Sequence, residues 1–456
     1  MNITSYTYYY FIGIGGIGMS AIARYFNQMG KTILGYDRMQ TELTKQLELE
    51  NIKIHFEDDE KFIPNELQPQ NTLVIYTPAI PKNHQELHFF QNNGFKVIKR
   101  AEALGEITRA TTSLAVAGTH GKTTTSAMLG HLLYDAGLES TAFVGGIVEN
   151  YNSNVILGGN KISVIEADEF DRSFLKLNPD FACITSMDAD HLDIYGDGNE
   201  LIKSFNEFAK IVRSQVFVKN GIEIKGAQTY GVEELKATSD QAIPDYYADN
   251  ILLKEGYFTF DLTYPHGKIE SISMTLPGRH NIENAVAAIA LAMQVGVNEK
   301  QIKQAMASFK GIKRRFSRYT SSDGKIIIDD YAHHPTELNA IIQATQNFYP
   351  GKSILGIFQP HLFSRTRDFI SDFAKSLSGL QNLILIDIYP ARENPIEGVT
   401  SDWLADEIEK INSNRPLVVS LDKAFDEILK FQTDIILLMG AGNIDTLYQP
   451  LKMHYV

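Results

Sequence analysis

A segment whose composition suits phosphate binding lies near residue 120. It reads Gly118-Thr119-His120-Gly121-Lys122-Thr123-Thr124 and follows a short apolar run. Backbone N–H groups of such a loop can surround phosphate oxygens, while Lys122 neutralises their charge and the Thr123 hydroxyl can coordinate Mg²⁺. The full P-loop pattern requires glycine five residues before Gly121, where this chain has Val116. The sequence therefore predicts a phosphate site with a shortened loop; a helix N-cap alone is the structural alternative.

A second glycine-rich segment, Gly13-Ile14-Gly15-Gly16-Ile17-Gly18, lies near the N-terminus. It follows the apolar run Tyr8–Ile12 and precedes a helical pattern with one apolar stripe. Glycine lets the backbone approach a pyrophosphate at the N-terminus of such a helix. Asp37 ends the next predicted strand, at the place of a ribose-binding acid. The pattern predicts a nucleotide-type ligand of unspecified identity, with a tight turn as the alternative.

Two acidic segments follow predicted strands in the middle of the chain. They are Glu166-Ala167-Asp168-Glu169 and Asp188-Ala189-Asp190-His191-Leu192-Asp193. Acids at the carboxyl ends of parallel strands point into the ligand crevice of such a sheet. Carboxylate oxygens are also the ligands that Mg²⁺ prefers. We expect a metal or phosphate neighbourhood here; a solvated acidic loop and a surface His191 are the alternatives.

Arginine and histidine side chains cluster in the second half of the chain. The segments are Gly278-Arg279-His280-Asn281, Arg314-Arg315-Phe316, Asp329-Asp330-Tyr331-Ala332-His333-His334-Pro335-Thr336 and Gln359–Arg367. Arginine suits bidentate recognition of carboxylate or phosphate better than lysine does. The arginines that follow predicted strands therefore indicate anion binding. The adjacent histidines are weaker candidates for a metal site, since no cysteine lies near them.

The elements expected to position these residues are alternating strands and helices. Short apolar runs recur along almost the whole chain, as in a parallel sheet covered by helices on both faces. The 456 residues exceed the usual size of one core. Domain boundaries are predicted near residues 108 and 311, giving domains 1–108, 109–311 and 312–456. The middle domain should contain an antiparallel excursion over 258–276 and a helical stretch over 284–309.

Composition excludes several classes of protein. Lys and Arg total 42 against 55 Asp and Glu, and the net charge of −13 opposes general binding to nucleic acid or an anionic membrane. The single Cys183 excludes a disulfide framework and a cysteine-based zinc site. The first basic residue is Arg24 and no apolar run reaches membrane-spanning length, so we expect no secretory leader. We expect a cytoplasmic protein without membrane insertion, as a monomer or homodimer.

Taken together, these motifs resemble the Mur ligase family of peptidoglycan synthesis. The resemblance runs from Gly13 to the segment Gly440-Ala441-Gly442-Asn443, and the string Gly118–Thr125 is specific for the family. The strings that resemble the alanine-adding member are Glu166–Asp171, Asp190–Tyr195, Asp329–Glu337 and Gln359–Asp368.

The resemblance implies an α/β fold of three domains. An N-terminal Rossmann-like domain would bind a UDP-sugar, a central P-loop ATPase-type domain with a parallel sheet would bind ATP, and a C-terminal Rossmann-like domain would close over ATP and the amino acid. The implied activity is ATP- and Mg²⁺-dependent ligation of L-alanine to UDP-N-acetylmuramate. An acyl phosphate would be the intermediate.

Residue roles follow from the same resemblance. The implied ATP contacts are Gly118, Thr119, Gly121, Lys122, Thr123, Thr124, His280, Asn281 (adenine), Arg315 (γ-phosphate) and Asp330 (ribose). The implied Mg²⁺ ligands or neighbours are Thr123, Glu166 and His191. The implied UDP-sugar contacts are Gly13, Gly15, Gly16, Gly18, Asp37 and His120. The implied catalytic group is Lys122, Glu166, His191, His334 and Arg365.

One departure from the family pattern concerns the amino-acid site. Family members commonly have arginine after the Pro-His pair, where this chain has Leu362. Arg365 and Arg367 are therefore the candidates for the amino-acid carboxylate. His191 and His334 both remain candidates for accepting the ammonium proton, because histidine titrates near neutral pH.

Three other functions compete with this interpretation. An NAD-dependent oxidoreductase would explain Gly13–Gly18 and Asp37 but not the segment Gly118–Thr123. A non-enzymatic ATP-gated binding protein would bind ATP without forming an amide bond. A sister ligase, such as the murein-tripeptide recycling enzyme or a ligase that adds a later amino acid, would use the same phosphate loop. Amino-acid and peptide acceptors distinguish the last group.

Overall fold

The computed structural model describes residues 3–188, 198–233, 243–254, 257–391 and 393–456. Among these residues the strands form three sheets with helices between them, which confirms the predicted three-domain α/β architecture. Two compact units contain them. One comprises residues 1–252, 259–274 and 280–310, and the other comprises 253–258, 275–279 and 311–456. The exact domain bounds given above stay a prediction.

The N-terminal sheet has the strand order β3-β2-β1-β4-β5, with every neighbouring pair parallel. This is the order of the first five strands of a Rossmann fold, whose full order is 3-2-1-4-5-6. Its strands are β1 (Tyr8–Ile12), β2 (Thr32–Tyr36), β3 (Lys53–His55), β4 (Thr72–Tyr76) and β5 (Lys96–Lys99). Its helices are α1 (Ile17–Gln28), α2 (Glu42–Leu49), α3 (Gln85–Asn92) and α4 (Arg100–Ala110).

The central sheet has the order β15-β14-β13-β12-β11-β10-β6-β9-β7-β8. Its strands are β6 (Thr112–Ala117), β7 (Ser140–Val148), β8 (Ser153–Leu157), β9 (Ile162–Glu166), β10 (Phe181–Ile184), β11 (Gln215–Lys219), β12 (Gln228–Val232), β13 (Tyr246–Lys254), β14 (Tyr257–Tyr264) and β15 (Gly267–Met274). Its helices are α5 (Lys122–Asp135), α6 (Gly198–Ile211), α7 (Arg279–Met293) and α8 (Glu299–Ser308). The strands from β6 to β13 pair in parallel, apart from the antiparallel hairpin of β7 and β8.

Two features predicted for the middle domain are present in the structure. Strands β14 and β15 are neighbours joined by Pro265 and His266, and a link of two residues only permits an antiparallel hairpin, as predicted. The expected helical stretch over 284–309 is present as two helices, α7 and α8. Helix α7 ends at Met293, Gly296 adopts φ +92°, and Asn298 caps α8 by accepting a hydrogen bond from the Gln301 N–H at 3.1 Å.

The C-terminal sheet has the order β16-β17-β21-β18-β19-β20, and only the β16–β17 pair is antiparallel. Its strands are β16 (Ser317–Thr320), β17 (Ile326–Asp330), β18 (Ile354–Phe358), β19 (Asn382–Ile386), β20 (Leu417–Val419) and β21 (Ile435–Met439). Its helices are α9 (Pro335–Phe348), α10 (Phe363–Asp368), α11 (Ile370–Leu377), α12 (Ser401–Asn412), α13 (Leu421–Ile428) and α14 (Tyr448–His454).

Helix α1 packs between the N-terminal sheet and the β7–β8 hairpin of the central sheet. The fully buried Asn154 on β8 donates to the Ser20 hydroxyl at 2.9 Å and to the Ile17 carbonyl. Its amide oxygen accepts a hydrogen bond from Arg24, which also forms a bidentate pair with Glu50. The helix that follows the first glycine segment is therefore fixed to the central domain by a buried polar network.

Every helix in the described part of the chain is too short or too polar to span a membrane.

Candidate active site

The phosphate loop connects β6 to α5, as the sequence predicts. Gly118 and Gly121 adopt φ values of +128° and +82°, which only glycine adopts without strain. A Cβ atom on Gly118 would collide with the side chain of Thr185, which follows β10. The Ser186 hydroxyl accepts a hydrogen bond from the His120 N–H at 2.8 Å. The ends of two neighbouring strands thus fix the loop conformation.

Lys122 is the first residue of α5, and its ammonium group folds back over the loop. It donates to the Gly118 carbonyl at 2.6 Å and lies 2.9 and 2.8 Å from the two carboxylate oxygens of Glu169. The Glu169 side chain is fully buried, whereas that of Lys122 is 14% exposed. The predicted phosphate-binding cation is therefore held at the loop by a buried carboxylate. Sequence reasoning placed Glu169 in an acidic segment without seeing this contact.

The Thr123 hydroxyl and the Glu166 carboxylate lie together beside Lys122, and both are oxygen ligands suited to a metal ion. The Thr123 hydroxyl donates to Glu166 Oε1 at 2.9 Å, and the Gly145 N–H donates to Glu166 Oε2 at 2.7 Å. Desolvation raises the pKa of the Glu166 carboxyl above its usual range, while the nearby charge of Lys122 opposes this rise. A hydroxyl and a carboxylate at this distance suit Mg²⁺, which takes few protein ligands and retains water or phosphate oxygens as the others.

The second acidic segment is described only in part. His191 and Asp190 lie outside the described residues, so the predicted second metal ligand has no structural account here. Asp188 is described, and its N–H donates to the Thr119 hydroxyl at 3.2 Å. Its carboxylate lies 3.9 Å from His120 Nε2. The segment after β10 therefore starts next to the phosphate loop. No group of three metal-ligating side chains occurs among the residues with described positions.

The start of α7 lies beside the same loop. Asn281 is buried in the first turn of α7, and its side-chain oxygen accepts a hydrogen bond from Asn284 at 3.3 Å. A Cβ atom on Gly121 would lie 2.7 Å from the Asn284 side-chain oxygen. His280 is exposed, and Thr124 is buried in α5. Asn284 was missed from sequence, although its spacing of three residues from Asn281 places both on one helix face.

The first glycine segment forms a closed turn before α1. Gly13 adopts φ +84°, and the Gly15 N–H donates to Asp37 Oδ2 at 2.7 Å. In this structure Asp37 therefore stabilises the glycine turn, and its predicted ribose contact stays a prediction. A Cβ atom on Gly18 would lie 2.6 Å from Arg100 Nη1, a cation that sequence reasoning did not select. Arg100 also lies 3.8 Å from the Asp168 carboxylate.

In the C-terminal unit, Asp330 and Arg315 lie next to the end of β17. The Asp330 carboxylate accepts hydrogen bonds from the N–H groups of Phe316 at 2.7 Å and Ala332 at 2.9 Å. Burial raises the pKa of Asp330 to about 6, although the Arg315 charge and these N–H groups act in the opposite direction. The Arg315 guanidinium carbon lies 5.5 Å from the centre of the Tyr331 ring. Both Asp330 oxygens thus have backbone partners.

His334 and Arg365 occupy two helix starts in the same unit. His334 caps α9, and its Nδ1 accepts a hydrogen bond from the Thr336 N–H at 3.4 Å. Arg365 Nη1 lies 3.4 Å from His361 Nδ1, and His361 stacks on Tyr389 with ring centres 5.6 Å apart. His361 was selected from sequence only as part of the segment Gln359–Arg367, and Tyr389 was not selected. They come from different strand ends that the sheet order brings together.

Leu362, the position that departs from the family pattern, has an unusual backbone conformation. It precedes α10 with φ +73° and ψ +135°, which is a strained region for a non-glycine residue. Its N–H donates to the Tyr389 carbonyl at 3.0 Å. The conformation is thus held by the loop after β19, next to His361 and Arg365.

Family models match three consecutive parts of the chain. Residues 8–112 match the Mur ligase family catalytic domain, residues 116–292 match the Mur ligase middle domain, and residues 314–442 match the Mur ligase glutamate ligase domain. The chain is 50% identical over 450 residues to the UDP-N-acetylmuramate–L-alanine ligase of Christiangramia forsetii, covering 98% of this chain and 97% of that protein. The chain belongs to the Mur ligase family.

Other similarities agree with this membership. The UDP-N-acetylmuramate–L-alanine ligase of Porphyromonas gingivalis strain W83 is 47% identical over 98% of both chains. The crystal structure of the UDP-N-acetylmuramate-alanine ligase from Thermotoga maritima superposes with a TM-score of 0.80 at 25% identity over 98% of both chains. A murein peptide ligase from Psychrobacter arcticus gives a TM-score of 0.65 at 22% identity, again over 98% of both chains, and supports the fold alone.

Membership in the Mur ligase family confirms the resemblance read from the motifs. Mur ligases are ATP-dependent enzymes. The hypotheses of an NAD-dependent oxidoreductase and of a non-enzymatic ATP-gated binding protein are therefore excluded. The structure brings Lys122, Thr123 and Glu166 together and places Asn281 nearby. The roles predicted for individual residues, including Asp330, His334 and Arg365, stay predictions.

Proposed function

We propose that this protein is an ATP-dependent ligase that joins L-alanine to UDP-N-acetylmuramate through an acyl phosphate. The observation that carries the chemistry is the phosphate loop with Lys122 over it and the Thr123–Glu166 pair beside it. The substrates are those in the names of relatives that are 47–50% identical over nearly the full chain. The reaction would take place in the cytoplasm, where ATP and nucleotide sugars are made.

The reaction needs no protein nucleophile. A carboxylate oxygen of UDP-N-acetylmuramate attacks the γ-phosphorus of ATP, the bond to the β-phosphate oxygen breaks, and ADP leaves. The deprotonated amine of L-alanine then attacks the acyl carbon, and inorganic phosphate leaves as the amide forms. Both steps bring anions together, so positioning and charge neutralisation supply most of the catalysis.

Residues of the chain would supply those effects as follows. Lys122 donates to the Gly118 carbonyl and to both Glu169 oxygens, and the Thr119 carbonyl lies 3.5 Å away, so binding of ATP would exchange part of these contacts for a phosphate oxygen. Mg²⁺, when bound, would neutralise charge on the phosphate oxygens, and Thr123 with Glu166 would hold it. Arg315 would contact the γ-phosphate, and Asn281 with His280 the adenine. His334 or His191 would accept the proton of the alanine ammonium group.

A panel of acceptors tests the substrate. Purified protein is mixed with ATP, Mg²⁺ and UDP-N-acetylmuramate, and ADP release is measured with single amino acids, with dipeptides and with the murein tripeptide. We expect release with L-alanine to exceed that with other acceptors. Activity with the tripeptide but not with L-alanine would support the recycling ligase instead. Activity only with UDP-muramoyl-peptides as donor would support a ligase for a later amino acid.

A further inference from the structure

The segment 312–317 enters the C-terminal sheet with two left-handed non-glycine residues. Arg314 and Phe316 adopt φ values of +62° and +56°, and Arg315 lies between them. Left-handed backbone is unfavourable for residues with a Cβ atom, so surrounding contacts must hold both positions. The backbone direction at Arg315 therefore depends on what fixes its two neighbours.

The Arg314 side chain makes contacts with several ends of the C-terminal sheet. Its Nη2 donates to the Gly440 carbonyl at 2.6 Å, directly after β21. Its Nη1 lies 3.5 Å from an Asp445 carboxylate oxygen, and its Nε lies 3.8 Å from Asp329 Oδ2 on β17. Its guanidinium carbon is 5.0 Å from the centre of the Tyr331 ring. One guanidinium thus connects the segment to β17, β21 and the turn after β21.

The backbone of the segment is held at the same place. The Arg314 N–H donates to the Ser317 hydroxyl at 2.9 Å, and the Arg314 carbonyl accepts from the Tyr331 N–H at 2.7 Å. The Phe316 N–H donates to Asp330 at 2.7 Å. Residues on both sides of Arg315 are therefore bonded to the end of β17.

We infer that Arg314 is a positioning residue that holds the segment 312–317 so that Arg315 presents its guanidinium at a fixed place beside Tyr331. The two guanidinium groups lie against the same ring, at 5.0 and 5.5 Å from its centre. The inference rests on the proposed function, in which Arg315 contacts the γ-phosphate. Arg314 itself hydrogen-bonds Gly440, lies within ion-pair distance of Asp445 and Asp329, and is assigned no substrate contact.

Nucleotide binding separates positioning from general stability. ADP lacks the γ-phosphate, so a displaced Arg315 should weaken an ATP analogue but not ADP. Arg314→Met keeps much of the side-chain volume and removes the charge, whereas Arg314→Lys keeps the charge without the planar fork. For Arg314→Met we expect about tenfold weaker binding of a non-hydrolysable ATP analogue by calorimetry, with ADP binding within about twofold, since weakening one hydrogen-bonded contact to a charged group changes affinity on this scale. Arg314→Lys should recover part of the loss.

Arg318→Met is the matched control, because Arg318 is an exposed arginine on β16, a few residues along the chain. It should bind both nucleotides as the wild type does. Equal weakening of ADP and the analogue in Arg314→Met, or wild-type binding of both, would overturn the inference. If Arg314→Met fails to fold, the same comparison in Arg314→Lys decides it. A wild type that binds nucleotides but forms no amide contradicts the proposed function alone.

Discussion

The ammonium group of Lys122 contacts both the phosphate loop and a buried carboxylate. A substitution of Lys122 is therefore expected to change stability as well as activity. The fully buried Glu169 accepts from Lys122 with both oxygens. Removing one partner of a buried ion pair is usually destabilising, because a charge remains in a low-dielectric site. Loss of activity in a Lys122 variant therefore has to be separated from loss of stability.

We predict that Lys122→Ala lowers turnover by at least about 10²-fold, since one positioned donor contributes on that scale. It should also lower the melting temperature. In the double variant Lys122→Ala/Glu169→Gln, the melting temperature should recover while turnover stays low. Lys161→Ala, which removes an exposed lysine, is the control. Recovery of turnover in the double variant would contradict a direct role of Lys122 in catalysis.

A second prediction at this scale concerns Glu166. Glu166→Gln keeps the side-chain size and removes the charge proposed to hold Mg²⁺, so turnover should fall and recover in part at high Mg²⁺ concentration. Glu139→Gln, at an exposed carboxylate, should behave as the wild type. The measurement is turnover as a function of Mg²⁺ concentration. An unchanged Mg²⁺ dependence in Glu166→Gln would contradict the proposed role of Glu166 in holding Mg²⁺.

Among the individual residues, sequence could select those whose chemistry is local. Gly118, Lys122 and Thr123 lie in one string, and the structure places them in the phosphate loop and the first turn of α5 that follows it. Partners from distant strands, such as Glu169 for Lys122 or Tyr389 for His361, could not be read, because side-chain contacts depend on strand order and loop path. For Asp37, the sequence predicted the position at the end of a strand, but it did not predict the hydrogen bond that its carboxylate accepts from the Gly15 N–H.

At the scale of elements, the predicted strands next to the glycine segments are present. The β7–β8 hairpin was not predicted, because its strands contain Gly145, Gly146 and polar residues instead of a continuous apolar run. Yet this hairpin supplies the Gly145 N–H to Glu166 and the Asn154 side chain to α1. The contacts of the hairpin with Glu166 and with α1 join segments that are distant in sequence. No local sequence pattern predicts such contacts.

The Asn154 network yields a prediction for stability. Asn154→Ala removes the partner of Arg24 and of the Ser20 hydroxyl in a fully buried place, so the free energy of unfolding should fall by about 1–3 kcal/mol. Asn92→Ala, at an exposed position in α3, should change it by less than about 0.5 kcal/mol. Denaturant unfolding checks both. Equal effects of the two variants would mean that the network does not stabilise the α1–β8 contact.

At the scale of the whole molecule, the motifs identified the family and its three α/β domains before any sheet order was known. The residues proposed for one reaction are distributed along the chain: Lys122 and Glu166 belong to one compact unit, and Arg315 and Arg365 to the other. Sequence could assign them to one activity only through the resemblance to Mur ligases. Composition and periodicity alone predict no more than a multidomain nucleotide-binding protein.

The stoichiometry of the complete reaction tests the central claim most directly. Purified protein is incubated with UDP-N-acetylmuramate, L-alanine, ATP and Mg²⁺, and ADP, phosphate and the amide product are quantified by mass spectrometry and phosphate assay. The account predicts one ADP and one phosphate for each UDP-N-acetylmuramoyl-L-alanine formed, and no product when any substrate is omitted. ATP hydrolysis without amide formation, or release of AMP and pyrophosphate, would contradict it.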